Sequence, residues 1–285
     1  MNFTKMQGCG NDYIYVDGSK ENVKDKPEIA RRLSDRHFGI GGDGVIFINP
    51  SETADFEMEM YNLDGSRGKM CGNGIRCVAK FVYDKGMTDK ETLKIESCGS
   101  IKTLYLSVKD KKVESVRVDM GEPILKAEDI PADPTKTLGY TDDRGRLIDV
   151  PYKVGSEKYR MTAVSMGNPH AVIFLSDVKG LDLTAMGPLF EHHSAFPEAV
   201  NTEFVRVISR NELEMRVWER GSGETFACGT GASASLVAAV LNGLTDRRAA
   251  LHLLGGDLDI EWKEEDNHVY MTGPAVTVFE GSVDV

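Results

Sequence analysis

Short apolar or alternating runs, bounded by Gly, Asp and Ser clusters, dominate the chain and predict strands rather than helices. In the first half these runs are Tyr13–Asp17, Val45–Ile48, Phe56–Asn62, Leu93–Ser97, Ile101–Val108 and Val113–Met120. In the second half they are Tyr159–Ser165, Ala171–Leu175, Glu203–Ile208, Glu212–Glu219, Ala249–Leu254, Leu258–Trp262, His268–Met271 and Ala275–Phe279. Helical periodicity is confined to Lys26–Arg36 and to two segments that open at Gly72 and Gly229 and stop at Gly86 and Gly243, glycines that read as C-caps. The segment Ala232–Leu241 is apolar or small on every face, as expected of a helix surrounded by protein. The helix after Gly72 is more amphipathic, with Arg76 and Lys80 expected to point outward.

The pattern repeats. Cys71-Gly72-Asn73-Gly74 and Cys228-Gly229-Thr230-Gly231 lie 157 positions apart, and the same offset pairs Gly10-Asn11 with Gly167-Asn168 and Glu57-Met58 with Glu214-Met215. It also pairs Tyr61-Asn62 with Trp218-Glu219 and Gly86-Met87-Thr88-Asp89 with Gly243-Leu244-Thr245-Asp246. The chain is therefore an internal duplication, and a duplicated unit folds twice. Its 285 residues suit two domains, and the proline-bearing stretch from Pro123 to Pro134 is the natural junction.

Net charge refines this picture by exclusion. At −11, with no basic run, the chain has no general affinity for nucleic acid or for an anionic membrane. It lacks an N-terminal signal pattern and any run of apolar residues long enough to span a bilayer, so a cytoplasmic protein is expected. Five cysteines without framework spacing imply free thiols, and the absence of C-x-x-C and H-x-x-x-H argues against zinc; no metal and no cofactor are expected. Gly39-Ile40-Gly41-Gly42-Asp43-Gly44 satisfies G-x-G-x-x-G, but it follows a helix and precedes a strand, the reverse of a dinucleotide loop.

The candidate chemistry lies in the repeated motif. A helix N-terminus carries unsatisfied N–H groups and a partial positive charge, so it binds a carboxylate without a cationic side chain and favours a thiolate placed beside it. Two such ends directed at one carboxylate would set Cys71 and Cys228 on opposite sides of one carbon. One thiolate then removes a proton, the other thiol delivers one, and the configuration inverts. A lone cysteine is ordinarily a small buried hydrophobe, which is the reading for Cys9, Cys77 and Cys98. Asn11, Asn62, Asn168, Asn201, Glu219 and Arg220 lie at strand ends or turns in equivalent places, and together suit a small zwitterion: Arg220 for a carboxylate, Glu219 for an ammonium group. His170 is either a core histidine or a neighbour of the site, and His192-His193 reads as an exposed pair.

Met70-Cys71-Gly72-Asn73-Gly74-Ile75-Arg76, Ala227-Cys228-Gly229-Thr230-Gly231-Ala232, Gly8-Cys9-Gly10-Asn11-Asp12-Tyr13, Gly167-Asn168-Pro169-His170 and Glu219-Arg220-Gly221 together resemble the diaminopimelate epimerases. The resemblance implies an α+β fold of two pseudo-symmetric domains, each a mixed β-sheet rolled around a central helix. Residues 1–123 would form the first, with 274–285 returning to it, and 124–273 the second. It implies an isomerase that interconverts LL- and meso-2,6-diaminopimelate without pyridoxal phosphate, a small-molecule amino acid as its partner, and a homodimer. Cys71 and Cys228 would be the acid–base groups, with His170 and Glu219 tuning the reaction. Gly72, Asn73, Gly229 and Thr230 would hold the reacting carboxylate, and Asn11, Asn62, Asn168, Asn201, Glu219 and Arg220 the remaining charges. Proline racemases and hydroxyproline epimerases, the nearest alternative, typically carry histidine where this chain has Asn73. A cysteine hydrolase using Cys228 and His170 would leave Cys71 unexplained, and a non-enzymatic binding protein would hold the ligand without exchanging its α-proton. Two positions depart from the family: Gly44, where some members have glutamine, and Phe279, where a tyrosine at the dimer contact is frequent.

Overall fold

A computed structural model describes residues 1–137 and 141–285. The chain runs β1 (Asn2–Gly8), β2 (Asn11–Asp17), α1 (Lys26–Ser34), β3 (Gly44–Asn49), β4 (Phe56–Asn62), α2 (Gly72–Asp84), β5 (Thr92–Ser97), β6 (Ser100–Lys109) and β7 (Lys112–Gly121). Two short 3-10 turns follow at Ala127–Asp129 and Pro134–Thr137. Then come β8 (Val150–Val154), β9 (Glu157–Ser165), β10 (Pro169–Phe174), α3 (Leu183–Glu191), β11 (Asn201–Ser209), β12 (Glu212–Glu219), β13 (Gly223–Glu224) and α4 (Gly229–Leu241). The chain finishes with β14 (Arg248–Leu253), β15 (Gly256–Trp262), β16 (Val269–Pro274) and β17 (Val276–Ser282). Two compact units result, Met1–Asp119 with Thr272–Val285, and Met120–Met271. Both long-helix pairs keep the offset seen in the sequence: α1 corresponds to α3 and α2 to α4, residue for residue.

Within the first unit β1 pairs antiparallel with β2 and with β17, β2 parallel with β3, β3 antiparallel with β4, and β4 parallel with β5, which continues antiparallel through β6 to β7. The second unit repeats the scheme, with β8 beside β9 in the place that β17 takes beside β1. β2 and β3 are buried almost throughout, because a sheet with parallel strands is covered on both faces. The cover on one face is α1, whose Ile29, Ala30 and Leu33 join Phe3, Ile14, Val16, Val45 and Phe47 in one core. On the other face α2 packs against β1, β2, β5 and β6, so the mixed sheet curls around it. α4 occupies the corresponding place against β9, β10, β11, β14 and β15, and its residues from Ala232 to Ala239 are buried. Both helices end in the same left-handed cap. Gly86 (φ 70°) and Gly243 (φ 69°) let the next N–H groups, of Met87 and Leu244, reach back to the carbonyls of Val82 and Ala239.

Four expectations change. β1, β8 and α3 escaped the pattern analysis: β1 buries Thr4 and Lys5 among its apolar residues, β8 is only five residues long and contains Pro151, and α3 carries Gly187 and Pro188 inside the helix. Arg76 does not point outward: it is fully buried, donating from Nε to the Pro274 carbonyl (3.1 Å), from Nη1 to the Gly72 carbonyl (3.2 Å) and from Nη2 to Cys9 Sγ (3.7 Å). Cys9 and Cys77 are buried as expected, but Cys98 is exposed at the tight β5–β6 turn, where φ is 49°. His193 is half-buried, its ring 4.1 Å from that of Tyr152, so only His192 stands in solvent. Among the described residues no helix is long and apolar enough to cross a membrane.

The first unit also encloses an ionic cluster. Glu59 accepts hydrogen bonds from Arg67 (2.6 Å), Asn49 (2.7 Å), Tyr61 (2.8 Å) and Lys26. Burial opposes ionisation of its carboxyl, but the Lys26, Asn49 and Tyr61 hydrogen bonds outweigh it and hold the pKa down at about 2. A carboxyl depressed from the ordinary 4.5 stabilises the fold above that pH and loses its contribution as pH falls through about 2. Glu59→Gln should therefore lower unfolding free energy at pH 7 by roughly 1–3 kcal/mol. Its acid limb between those two values should be shallower than that of the unaltered protein, measured by denaturant unfolding across the range.

Candidate active site

In each unit a cysteine sulfur closes the first turn of the central helix. Cys71 and Cys228 are the N-caps of α2 and α4, both extended (φ −133° and −116°), and their Sγ atoms accept the N–H of Gly74 at 3.2 Å and of Gly231 at 3.3 Å. An α-helix offers no internal acceptor to its first N–H groups, which here belong to Gly72–Gly74 and Gly229–Gly231. The sulfur takes the third of each set. The glycines at 74 and 231 make room for neighbouring side chains: a Cβ would stand 2.9 Å from Ile46 Cδ1 at the first and 2.5 Å from Glu203 Oε1 at the second. The space belongs to the protein's own side chains.

Around Cys71 the partners are neutral or paired. Its thiol donates to Asn11 Oδ1 at 3.0 Å, and Asn11 Nδ2 donates to Asp43 Oδ2 at 2.6 Å, which fixes the amide orientation. Asp43 also accepts the Asp12 N–H and an Arg36 guanidinium hydrogen bond, and Arg36 and Lys5 both pair with Asp12. Burial works against the Asp12 charge, yet Arg36 and Lys5 hold its pKa below the ordinary carboxylate value. Asn62 closes β4 and donates from Nδ2 to Ser66 Oγ at 3.0 Å. Asn73 is buried in the first turn of α2. Gly44 stands opposite Asn62 in the β3–β4 register, where a Cβ would lie 2.1 Å from the Tyr61 carbonyl oxygen.

Around Cys228 the neighbours are ionisable, with His170 and Glu203 fully buried and Glu219 half-buried. Glu219 accepts from Thr225 Oγ1 at 2.5 Å and hydrogen-bonds the Cys228 thiol. His170 Nδ1 lies 2.7 Å from Glu203 Oε1 and its Nε2 3.1 Å from Asn168 Oδ1. Burial pushes the Glu219 carboxyl up, against the Thr225 hydrogen bond and the His170 charge. Burial, followed by the Glu219 and Glu203 charges, pushes the Cys228 thiol well above its ordinary value. The helix field alone would favour a thiolate, but here desolvation and two carboxylates win. The Thr230 hydroxyl lies 3.4 Å from Cys228 Sγ.

Asn201 and Arg220 serve the backbone as well. Asn201, buried at the start of β11, donates to the Pro169 carbonyl and accepts the Arg220 N–H, both at 3.0 Å, so it ties β10 to the turn after β12. Arg220 donates to the Glu198 carbonyl. Glu191, at the end of α3, accepts from Trp218 Nε1 (2.7 Å) and the Gly221 N–H (2.8 Å) and secures the same turn. The structure thus gathers Cys71, Asn11, Gly72 and Asn73 in one unit and Cys228, Gly229, Thr230, His170, Asn168 and Glu219 in the other. Asp43, Glu191, Glu203 and Thr225 were missed by motif reading. For Glu203 a signal existed: the duplication pairs it with Ile46, setting an acid where the other copy has an aliphatic residue. No group of three or more His, Cys, Asp or Glu among the described residues is disposed to hold a metal ion.

Comparison with known proteins gives the family. The family model described as diaminopimelate epimerase matches residues 3–126 and 162–278. A diaminopimelate epimerase of Agathobacter rectalis is 56% identical over 285 residues, covering 100% of both chains. One from Methanococcus maripaludis is 54% identical over the same length, again covering 100% of each. Among solved structures, a PhzF-family phenazine biosynthesis protein of Bacillus anthracis shares the fold at TM-score 0.68 and 15% identity, over 100% of this chain and 99% of its own. A probable proline racemase of Agrobacterium radiobacter does so at TM-score 0.70 and 12% identity, over 100% and 93%. With a duplicated mixed sheet around a cysteine-capped helix and close full-length relatives, the chain belongs to the diaminopimelate epimerase family.

Proposed function

We propose that this chain interconverts LL- and meso-2,6-diaminopimelate without a cofactor, using Cys71 and Cys228 as its two acid–base groups. The observation that carries the reading is the repeated cap, a thiol at the start of each central helix. Capping alone is served best by Ser, Thr, Asp or Asn, so cysteine in both copies calls for the chemistry of sulfur. Relatives of the same length and more than half identical bear the name of this activity.

The first-turn N–H groups of Gly72, Asn73, Gly229 and Thr230 hold the carboxylate next to the reacting carbon. One cysteine, as thiolate, takes the α-proton and becomes a thiol. The electron pair passes into the carboxylate, where those N–H groups stabilise it. The second thiol gives its proton to the opposite face and remains as thiolate, so one C–H bond breaks, one forms, and the charge has moved between sulfurs. Cys228, kept protonated by burial and neighbouring carboxylates, suits the donor's part when the reaction begins. Glu219 takes an ammonium group, whose arrival favours the ionised carboxyl that burial disfavours. His170 tunes Glu219, and Asn11, Asn62, Asn168, Asn201 and Arg220 orient the other charged groups. Residues 1–123 with 274–285, and 124–273, act as the N- and C-terminal epimerase-like domains. The five free thiols suit a reducing compartment, so a cytoplasmic enzyme is part of the proposal.

A homodimer through β17 is also proposed, on the exposure of Val276, Val278 and Phe279 along that strand. Phe279→Glu should shift the mass in light scattering from dimer to monomer; a monomeric unaltered protein would discard the interface.

The reaction is tested by proton NMR in D₂O with LL-diaminopimelate and, separately, L-proline. Loss of the α-proton and appearance of the meso isomer with the first substrate alone is expected. Turnover of proline instead would assign the racemase activity, and a trapped acyl-enzyme would point to hydrolysis. Cys71→Ala and Cys228→Ala should each lower complete epimerisation by at least about a thousandfold, since neither face can be served without its thiol. Undiminished turnover in either variant would sink the two-base scheme.

A further inference from the structure

Glu203, on β11, has no task in the scheme above, yet its environment is unusual for a carboxylate. Its side chain and that of His170 are both fully buried, with Glu203 Oε1 2.7 Å from His170 Nδ1. The other oxygen, Oε2, is buried and meets no hydrogen-bond donor among the described residues. On the helix side it is Gly231 that leaves it room, since a Cβ there would stand 2.5 Å from Oε1. The duplication supplies a control. Ile46 takes the corresponding position in the first unit, fully buried, with its Cδ1 2.9 Å from a Cβ built on Gly74. One niche beneath a helix start is thus filled by an aliphatic side chain in one copy and by a half-paired acid in the other. Packing is satisfied by the first, and burying the second is unfavourable unless it is paired. The interaction that Glu203 gains and Ile46 cannot make is with the imidazole.

We propose that Glu203 is a positioning residue that acts through His170: it fixes the proton on Nδ1, directs Nε2 to Asn168, and holds the ring in one orientation near Glu219. The inference rests on the two-cysteine reading, which gives Glu219 and Cys228 their tasks. A carboxylate on one ring nitrogen sets the tautomer and orientation of an imidazole. At the other nitrogen stands Asn168, whose amide presents oxygen or NH₂ according to its rotation and so accommodates Nε2 with or without its proton. Beyond it, Glu219 feels both members of the pair, His170 favouring its charge and Glu203 opposing it, and Glu219 in turn hydrogen-bonds the Cys228 thiol. Glu203 therefore touches neither sulfur nor substrate and works at one remove.

The test combines ¹⁵N NMR of the full-length protein with kinetics of α-proton exchange on LL-diaminopimelate. His170→Gln assigns the imidazole among the six histidines. The unaltered protein should show Nδ1 protonated. In Glu203→Gln the amide can donate to a bare Nδ1, so the ring should lose that preference. By analogy with a triad carboxylate changed to its amide, kcat should fall at least about a hundredfold while KM stays within about threefold. Melting temperature should not fall, since an amide is buried more readily than a charge. Glu203→Asp, which keeps the charge, should recover part of kcat. Turnover in folded Glu203→Gln within twofold of the unaltered protein would overturn the proposal, as would an unaltered protein whose Nδ1 lacks its proton. If Glu203→Gln does not fold, the spectrum of the unaltered protein decides alone. Absence of exchange by the unaltered protein would overturn the reaction assignment instead, a result that the His170 spectrum cannot imitate.

Discussion

A helix whose first turn is buried must satisfy its first N–H groups, and in both units of this molecule one is satisfied by a cysteine sulfur. Much else follows from that choice. The sulfur serves only the third N–H, so the first turn retains its capacity to bind an anion. At positions 74 and 231 a Cβ would press on the side-chain ends of Ile46 and Glu203 from the sheet beneath. Those glycines, expensive inside a helix, are what allow α2 and α4 to sit within their own curled sheets. Fold and anion-binding geometry are therefore one requirement.

The two copies share this backbone and differ in what surrounds it. Arg76 and Ser233 are equivalent, and each donates to the carbonyl four residues earlier, of Gly72 and Gly229. The bond is conserved between copies while the donor changes from a guanidinium to a hydroxyl. Tyr13 and His170 are equivalent in the same way, as are Ile46 and Glu203. The result is a thiol among neutral amides and distant ion pairs in one unit, and a thiol among buried acids and an imidazole in the other. Identical caps thus stand in different electrostatic surroundings, and at Cys228 burial and the Glu219 and Glu203 charges push the thiol up.

Legibility in the sequence tracks how local the cause is. Glycine-ended helices at Gly72 and Gly229 and strands such as Phe56–Asn62 and Glu212–Glu219 were readable because caps and alternation act within a few residues. The motif cysteines were readable because the chain states them twice. Arg76 was misread because its burial depends on carbonyls and a sulfur supplied from Gly72, Pro274 and Cys9, which no periodicity reports. Asn201 was read as a ligand group, whereas its amide also holds two backbone segments together. Thiolate stabilisation at Cys228 was inferred from the helix field alone. The opposing acids come from β11 and β12, and their effect depends on depth rather than on order along the chain.

β17 completes the sheet of the first unit by pairing with β1, and the Met1 amino group itself donates to the Val283 carbonyl. The second unit needs no such return, since its residues are contiguous. During synthesis, residues 120–271 can collapse as they emerge, while the β1 edge that β17 covers stays open until β17 has been made. The first-made half of the protein is thus the last to be finished, and its unpaired edge is the place where a nascent chain of this design needs protection from other strands.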